Sequence, residues 1–172
     1  MDSAHLPEAW RDLYLMLGTS SAALIGLLFV ASTLHVREIV SVEMFKVRVQ
    51  NTMLVMMGTL IQATAILTPQ PLRFLGAELL ILNLWGLWFP LSLTYKAAKM
   101  GAHARGGFSF YRGIFFTTGY LIGIAGAIAL IVGPGWGLYL VTVSYIHSLV
   151  AGIWNAWMMM LGIGRGEEKH KR

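Results

Sequence analysis

Cysteine is absent from this 172-residue chain, and charged residues make up only 12% of it. Without cysteine the chain cannot form a disulfide, a thiolate nucleophile or a cysteine-ligated metal or iron–sulfur centre. Charge is scarce compared with the ~25% of an ordinary soluble domain, while hydrophobic residues reach 56% and the mean hydropathy is +0.65. This composition predicts an integral membrane protein.

Motifs that would indicate catalysis are missing as well. The sequence contains no carboxylate pair, no histidine-rich helix, no serine elbow and no phosphate-binding loop. Haem ligation is disfavoured because His35 falls at the end of an apolar run and His103 in a polar connection, which leaves His147 without a deep partner. We therefore expect no catalytic site, no bound metal and no cofactor.

Apolar runs long enough to cross a bilayer occur five times. A helix needs about 20 residues to cross the ~30 Å hydrocarbon layer. Prolines and glycines mark two of the short connections, in the segments LTPQPLR and GPGWG. The sequence predicts one all-α domain over residues 1–172, an integral membrane helical bundle of five transmembrane helices, at approximately 13–35, 44–67, 72–95, 114–132 and 137–161.

Lysine and arginine are distributed unevenly between the two ends of these spans. Eleven lie in the first connection, the third connection and the C-terminal tail, whereas only Arg11 and Arg73 lie at the other end. The positive-inside rule then places the N-terminus outside and the C-terminus in the cytoplasm. The net charge of +5 is explained by residues bordering the inner leaflet, so we expect the lipid bilayer and not nucleic acid as a partner.

The first span, which contains GTSSAALIGLLFVASTLHV, is expected to be retained, because the preceding twelve residues carry a net charge of −2 where a secretory signal is positive. On a helix, Gly18, Ala22 and Gly26 fall within ~80° and form a row of small residues that permits close approach of another helix. Gly119 and Gly123 belong to a similar row in the fourth span.

Parts of the sequence also resemble a known group of proteins. The segment SSAALIGLLFVASTLH, a short charged turn, and LGAELLIL after a proline-containing turn are similar to small bacterial membrane proteins, some of which are labelled modulators of the membrane-anchored FtsH protease. The resemblance covers about a third of the chain. It implies an accessory protein of the bacterial inner membrane and supplies no catalytic residues.

Polar and small residues share one face of the fifth span. With His147 at 0°, an ideal helix places five further residues within ~140°: Ala151, Ser144, Asn155, Ser148 and Gly152. His147 itself lies ~15 Å from the outer end, near the middle of the bilayer. Either this face lines a cavity in which His147 carries protons or contacts a ligand, or it is a seam where His147 and Asn155 hydrogen-bond to neighbouring helices.

The second and third spans carry further polar residues. Asn51, Gly58 and Gln62 lie within ~40° on the second span and are expected to face the same interior. On the third span Glu78 and Asn83 are ~140° apart, so one helix cannot direct both to one site. We expect Glu78 to reach the outer interface, to pair with a nearby arginine or to line a vestibule, and Asn83 to bridge helices.

Two functions are consistent with these patterns. The first is an accessory, regulatory or assembly subunit that associates through small-residue faces with itself or with a larger membrane protein. The alternative is an oligomeric channel or transporter for an ion or small solute, with a pathway lined by His147, Asn155, Gln62 and Asn83. A pathway requires a water-accessible lumen, whereas a packing subunit requires these side chains to be satisfied by neighbouring helices.

The predicted topology can be tested with reporter fusions at the C-terminal residue, Arg172. Because basic residues concentrate at that end, we expect a fluorescent protein fused there to be fluorescent and a periplasmic phosphatase to be inactive. The opposite pair of results would contradict the predicted orientation and the odd number of spans.

Overall fold

The computed structural model describes residues 7–41, 43–99, 107–133 and 136–170. Within these ranges the chain is helical throughout, without a strand, as predicted. A short 3-10 helix precedes six α-helices: α1 (Arg11–Leu34), α2 (Val36–Ser41), α3 (Glu43–Leu67), α4 (Leu72–Lys99), α5 (Gly107–Val132) and α6 (Gly137–His170). The turn predicted at Pro134 and the connection that contains His103 lie outside the described residues.

The five long helices occupy the five stretches of sequence predicted as spans. Among the described residues, three helical stretches are long and apolar enough to cross a membrane: Arg11–Leu34, Ile114–Val132 and Gly137–Met158. Helices α3 and α4 are equally long but carry several of the polar residues identified in the sequence. The chain therefore has the composition and helix lengths of a membrane protein.

Helices α3, α4, α5 and α6 form a four-helix bundle that closes on itself. Each packs against the next around the ring, α3 on α4, α4 on α5, α5 on α6 and α6 on α3. Helix α1 lies outside this ring and packs mainly against α3. Its outer position explains why only 28% of its apolar stretch is buried, compared with 50% for α6.

The core of the bundle is formed by apolar side chains from all five long helices. They meet in one buried cluster, whose members include Tyr14, Met56, Leu79, Leu130 and Val141. Because neighbouring helices are joined by short connections, they run antiparallel, as in other up-and-down bundles. The apolar side chains of this cluster pack against one another between the antiparallel helices.

Glycines allow α5 to approach both of its neighbours closely. A Cβ on Gly126 would lie 3.0 Å from the Gly137 carbonyl oxygen and 2.9 Å from the Val141 nitrogen, both in α6. A Cβ on Gly76 of α4 would lie 2.8 Å from the Ala127 carbonyl oxygen of α5. Since these contacts are with backbone atoms, any larger residue would force the helices apart.

The short helix α2 was not predicted. It connects α1 to α3 at one end of the bundle, which we name the α2 end, and its Ile39 is buried in a small cluster with Leu28 and Val49. Six residues are too few to show a periodic pattern of hydrophobicity. The sequence therefore indicated a connection at this point but not its helical form.

The role of close helix contact can be tested by placing one methyl group on each of two glycines. Gly126→Ala should lower the free energy of unfolding by about 1–3 kcal/mol, because its Cβ meets the backbone of α6. Gly26→Ala is the matched control, since a Cβ there has no heavy atom within 4 Å and alanine is the better helix former. Titration with a denaturing detergent measures both, and equal losses of stability would contradict the close packing of α5 on α6.

Candidate functional site

The two predicted rows of small residues have different surroundings. In α5, Gly119 and Gly123 are both buried against neighbouring helices. In α1, Gly18 is buried, with its Cβ position 3.1 Å from Ala63 of α3, but Ala22 and Gly26 are exposed. The α1 row thus does not form one interface within the chain, because each step of four residues rotates by ~40° and leaves the contact with α3.

Two side chains of α6 donate hydrogen bonds to backbone carbonyl groups of α5. Ser144 Oγ lies 2.8 Å from the Gly119 oxygen, and His147 Nε2 lies 2.7 Å from the Phe115 oxygen. A carbonyl oxygen can only accept, so Nε2 carries the proton of this hydrogen bond. The two bonds are one helical turn apart and connect α5 to α6 through polar contacts.

The position of His147 depends on the absence of a side chain at Gly119. A Cβ on Gly119 would lie 2.5 Å from His147 Cδ2. The imidazole also packs against the ring of Phe115, with 4.2 Å between centroids and 40° between planes. His147 is half-buried and fixed between a ring, a glycine and a carbonyl group, so its orientation is set by α5.

Asn83 of α4 reaches the same contact between α5 and α6. The side chain is 1% exposed, and its Nδ2 donates to the Leu79 oxygen of its own helix at 2.7 Å. Its Oδ1 is buried without a conventional hydrogen-bond partner and lies against Gly123. A Cβ on Gly123 would collide with both Asn83 Oδ1 and Ser144 Oγ, so the two polar side chains can take these positions only because residue 123 is a glycine.

The opposite part of the polar face of α6 contacts α3. Asn155 donates a hydrogen bond from Nδ2 to the Thr52 hydroxyl, and both residues are buried. One turn earlier, a Cβ on Gly152 would collide with the methyl end of Met56. The polar face predicted from the fifth span is therefore divided, with Ser144 and His147 on α5 and Asn155 and Gly152 on α3.

The remaining predicted site residues do not join this arrangement. Gln62 is buried in α3, whereas Ser148 is half-buried in α6. Glu78 is exposed and accepts a hydrogen bond from Gln70 Nε2 at 2.9 Å, so its contact is with the α3–α4 connection. Glu78 and Asn83 have different surroundings, as their ~140° separation on one helix requires.

A second polar cluster, not identified from the sequence, joins α1 to the four-helix bundle. Ser21 Oγ lies 3.2 Å from the Tyr145 hydroxyl of α6 and accepts a hydrogen bond from Thr59 of α3 at 3.1 Å. Closer to the start of α1, the Tyr14 hydroxyl lies 2.7 Å from Thr142 Oγ1. These five hydroxyl groups are buried and connect three helices.

Aromatic rings extend this contact at the end of the bundle opposite α2. Trp10 meets Tyr139 edge to face, with 4.7 Å between ring centroids, and Tyr14 meets Tyr145 in the same way at 5.9 Å. Edge-to-face pairs add attraction beyond the burial of their surface. The start of α1 is therefore fixed against α6 by both rings and hydroxyl groups.

A small cavity lies between α3, α4 and α5. Its lining includes Asn51, Gly58, Trp85, Gly86 and Tyr120, and its volume is about 20 Å³. That space accommodates about one water molecule. Most of the residues that line the cavity are apolar, and His147, Asn155 and Asn83 are not among them.

The contact between His147 and Phe115 can be tested by two substitutions. His147→Gln should keep nearly all of the stability of the folded chain, because the amide of glutamine can also donate to a carbonyl group. His147→Leu should lower the free energy of unfolding by about 1 kcal/mol, since no donor remains. Detergent unfolding measures both, and equal stabilities of the two variants would mean that this hydrogen bond contributes nothing.

No protein-family model, curated protein or solved structure matches this chain. The resemblance to modulators of a membrane protease therefore stays a prediction from the sequence.

Proposed function

We propose that this chain is a five-span protein of the bacterial cytoplasmic membrane, with its N-terminus outside, that acts as an accessory or assembly subunit. In this proposal it binds further copies of itself or a larger membrane protein and catalyses no reaction. The observation that carries it is the use of polar side chains between helices: Ser144 and His147 donate to α5 and Asn155 donates to α3. Each of these three hydrogen bonds joins two helices of the same chain and so holds the bundle together.

The placement in a membrane is supported by the outer surface of the helices. Large apolar side chains are exposed along α1, and Leu27, for example, is 68% exposed. In water this arrangement would leave a long apolar face without cover, whereas acyl chains cover it without cost. The proposed orientation follows from the eleven basic residues at one end and two at the other.

Helix α1 is the surface that we assign to the partner. It lies outside the closed ring of α3 to α6, and its exposed face includes Ala22 and Gly26. Small residues on an exposed membrane helix let the backbone of a second helix approach closely, which favours association through dispersion contacts. The other four long helices each pack against two neighbours in the ring, so α1 has the most surface left for a further contact.

The alternative, an oligomeric channel or transporter, is favoured by a different observation. The amide oxygens of Asn51, Asn83 and Asn155 are buried without hydrogen-bond partners among the described residues. Unpaired acceptors inside a membrane are costly, and in channels and transporters such oxygens contact ions or solutes. This function would require the helices to separate, because the neighbouring His147 and Ser144 are bonded to α5.

The partner surface on α1 is tested by adding bulk to its exposed row. We expect the wild-type chain, purified in a mild detergent, to be part of a complex larger than one copy by mass spectrometry of the intact assembly. Gly26→Leu should dissociate the complex without lowering the melting temperature of the single chain, because that position is open. Leu27→Ile, which conserves volume at an exposed position, is the matched control and should leave the complex intact.

Reconstitution in liposomes distinguishes the two functions. The accessory function predicts that wild-type proteoliposomes conduct protons no faster than empty liposomes. Flux through the wild type, lost in a folded His147→Gln variant that cannot titrate near neutral pH, would overturn the proposal in favour of a transporter.

A further inference from the structure

The outer surface of α2 combines exposed aliphatic side chains with an exposed cation. Leu34 at the end of α1 is 75% exposed, and Val36 and Val40 of α2 are 51% and 64% exposed. Arg37 is exposed between them in the sequence, and Lys46 is exposed near the start of α3. Ile39, at 6% exposure, is the residue that fixes α2 to the rest of the chain.

The residues of α2 are divided around the helix by their chemistry. With Val36 at 0°, Val40 lies at ~40°, while Arg37 lies at ~100° and Ser41 at ~140°. Ile39 lies at ~300° and contacts the bundle. The surface that faces away from the bundle therefore changes from aliphatic to polar within about a quarter turn, which is the arrangement of a helix at a membrane surface.

The region around α2 has a positive net charge, although α2 itself also contains one acidic residue, Glu38. By position in the sequence, the end of the spans that contains α2 carries eleven basic and four acidic residues, a formal net charge of +7. The opposite end carries two basic and four acidic residues, a formal net charge of −2. The α2 end is thus complementary to a negatively charged lipid surface, and the opposite end is not.

We propose that α2 lies along the membrane surface and forms a binding site for the headgroups of anionic phospholipids. Val36 and Val40 enter the upper part of the acyl chains, and Arg37 contacts the phosphate group of a lipid, supported by the positive charge of this end. The inference rests on the proposed placement in a membrane. It assigns a lipid ligand that the accessory function alone does not require.

Exposure of α2 to water alone, without contact with a membrane, fits the structure less well. It would leave three large aliphatic side chains exposed to water within one seven-residue segment, at a cost that grows with their apolar area. A partner protein would cover the aliphatic residues, but the formal net charge of this end favours a partner with many negative charges. An anionic leaflet supplies apolar cover and negative charge together.

The depth of α2 can be measured with single cysteine labels, because the native chain has no cysteine. We expect a fluorophore on Val40→Cys to be quenched by lipids brominated high in the acyl chain, and one on the next residue, Ser41→Cys, to be quenched clearly less. A label on Leu27→Cys, at an exposed position within α1 and about two turns from its end, reports on the membrane placement itself. Quenching at Leu27 but not at Val40 would overturn the α2 site alone, whereas no quenching at either would overturn the membrane placement.

The headgroup contact is tested with phosphatidylglycerol as the probe. Arg37→Gln should weaken the binding of phosphatidylglycerol to the detergent-solubilised chain about fivefold, the effect of one basic residue near an anionic surface. Arg73→Gln, an exposed arginine at the opposite end, is the matched control and should bind as the wild type does. Unchanged binding by Arg37→Gln, or an equal loss in both variants, would contradict the proposed site.

Discussion

Close approach of backbones along α5 is the constraint on which the rest of this structure depends. Gly119, Gly123 and Gly126 lie on the side of α5 that meets α4 and α6, and a Cβ at each would meet an atom of a neighbour. Short side chains such as Ser144 reach the carbonyl groups of α5 only because the helices are this close. The glycines thus determine both the packing of the apolar core and the polar contacts within it.

Helix α1 is attached by buried hydroxyl groups in addition to apolar packing. Leu17 and Leu28 lie in the apolar clusters, and hydroxyl groups and aromatic rings add contacts to α3 and α6, whereas the other face of α1 is exposed. Hydrogen bonds between membrane helices contribute modestly, on average less than 1 kcal/mol each. Among the three most apolar helices, α1 has the least buried apolar stretch, at 28%, and its exposed face is the one we propose for the partner.

The sequence predicted the five long helices closely, because apolar runs bounded by prolines, glycines and charges define a span. The sequence was less informative about which face of each helix is buried. The row Gly18, Ala22 and Gly26 rotates out of the contact, whereas Tyr14 and Ser21, seven residues apart, stay on the buried face. Their spacing was visible in the sequence, but a hydroxyl group can bond to its own helix, so nothing in the composition required a partner elsewhere.

The attachment of α1 also has a consequence for the order of assembly, because a ribosome makes the chain from its N-terminus. Tyr14 bonds to a residue 128 positions later, and Ser21 to one 124 positions later, so α1 is synthesised long before these partners exist. In that interval Ser21 can already bond to its own helix, as it does in the folded chain, while Tyr14 lies only ~5 Å from the start of α1. Helix α1 can therefore pack against α3 early, whereas its hydrogen bonds to α6 form only after the last of the described helices has been made.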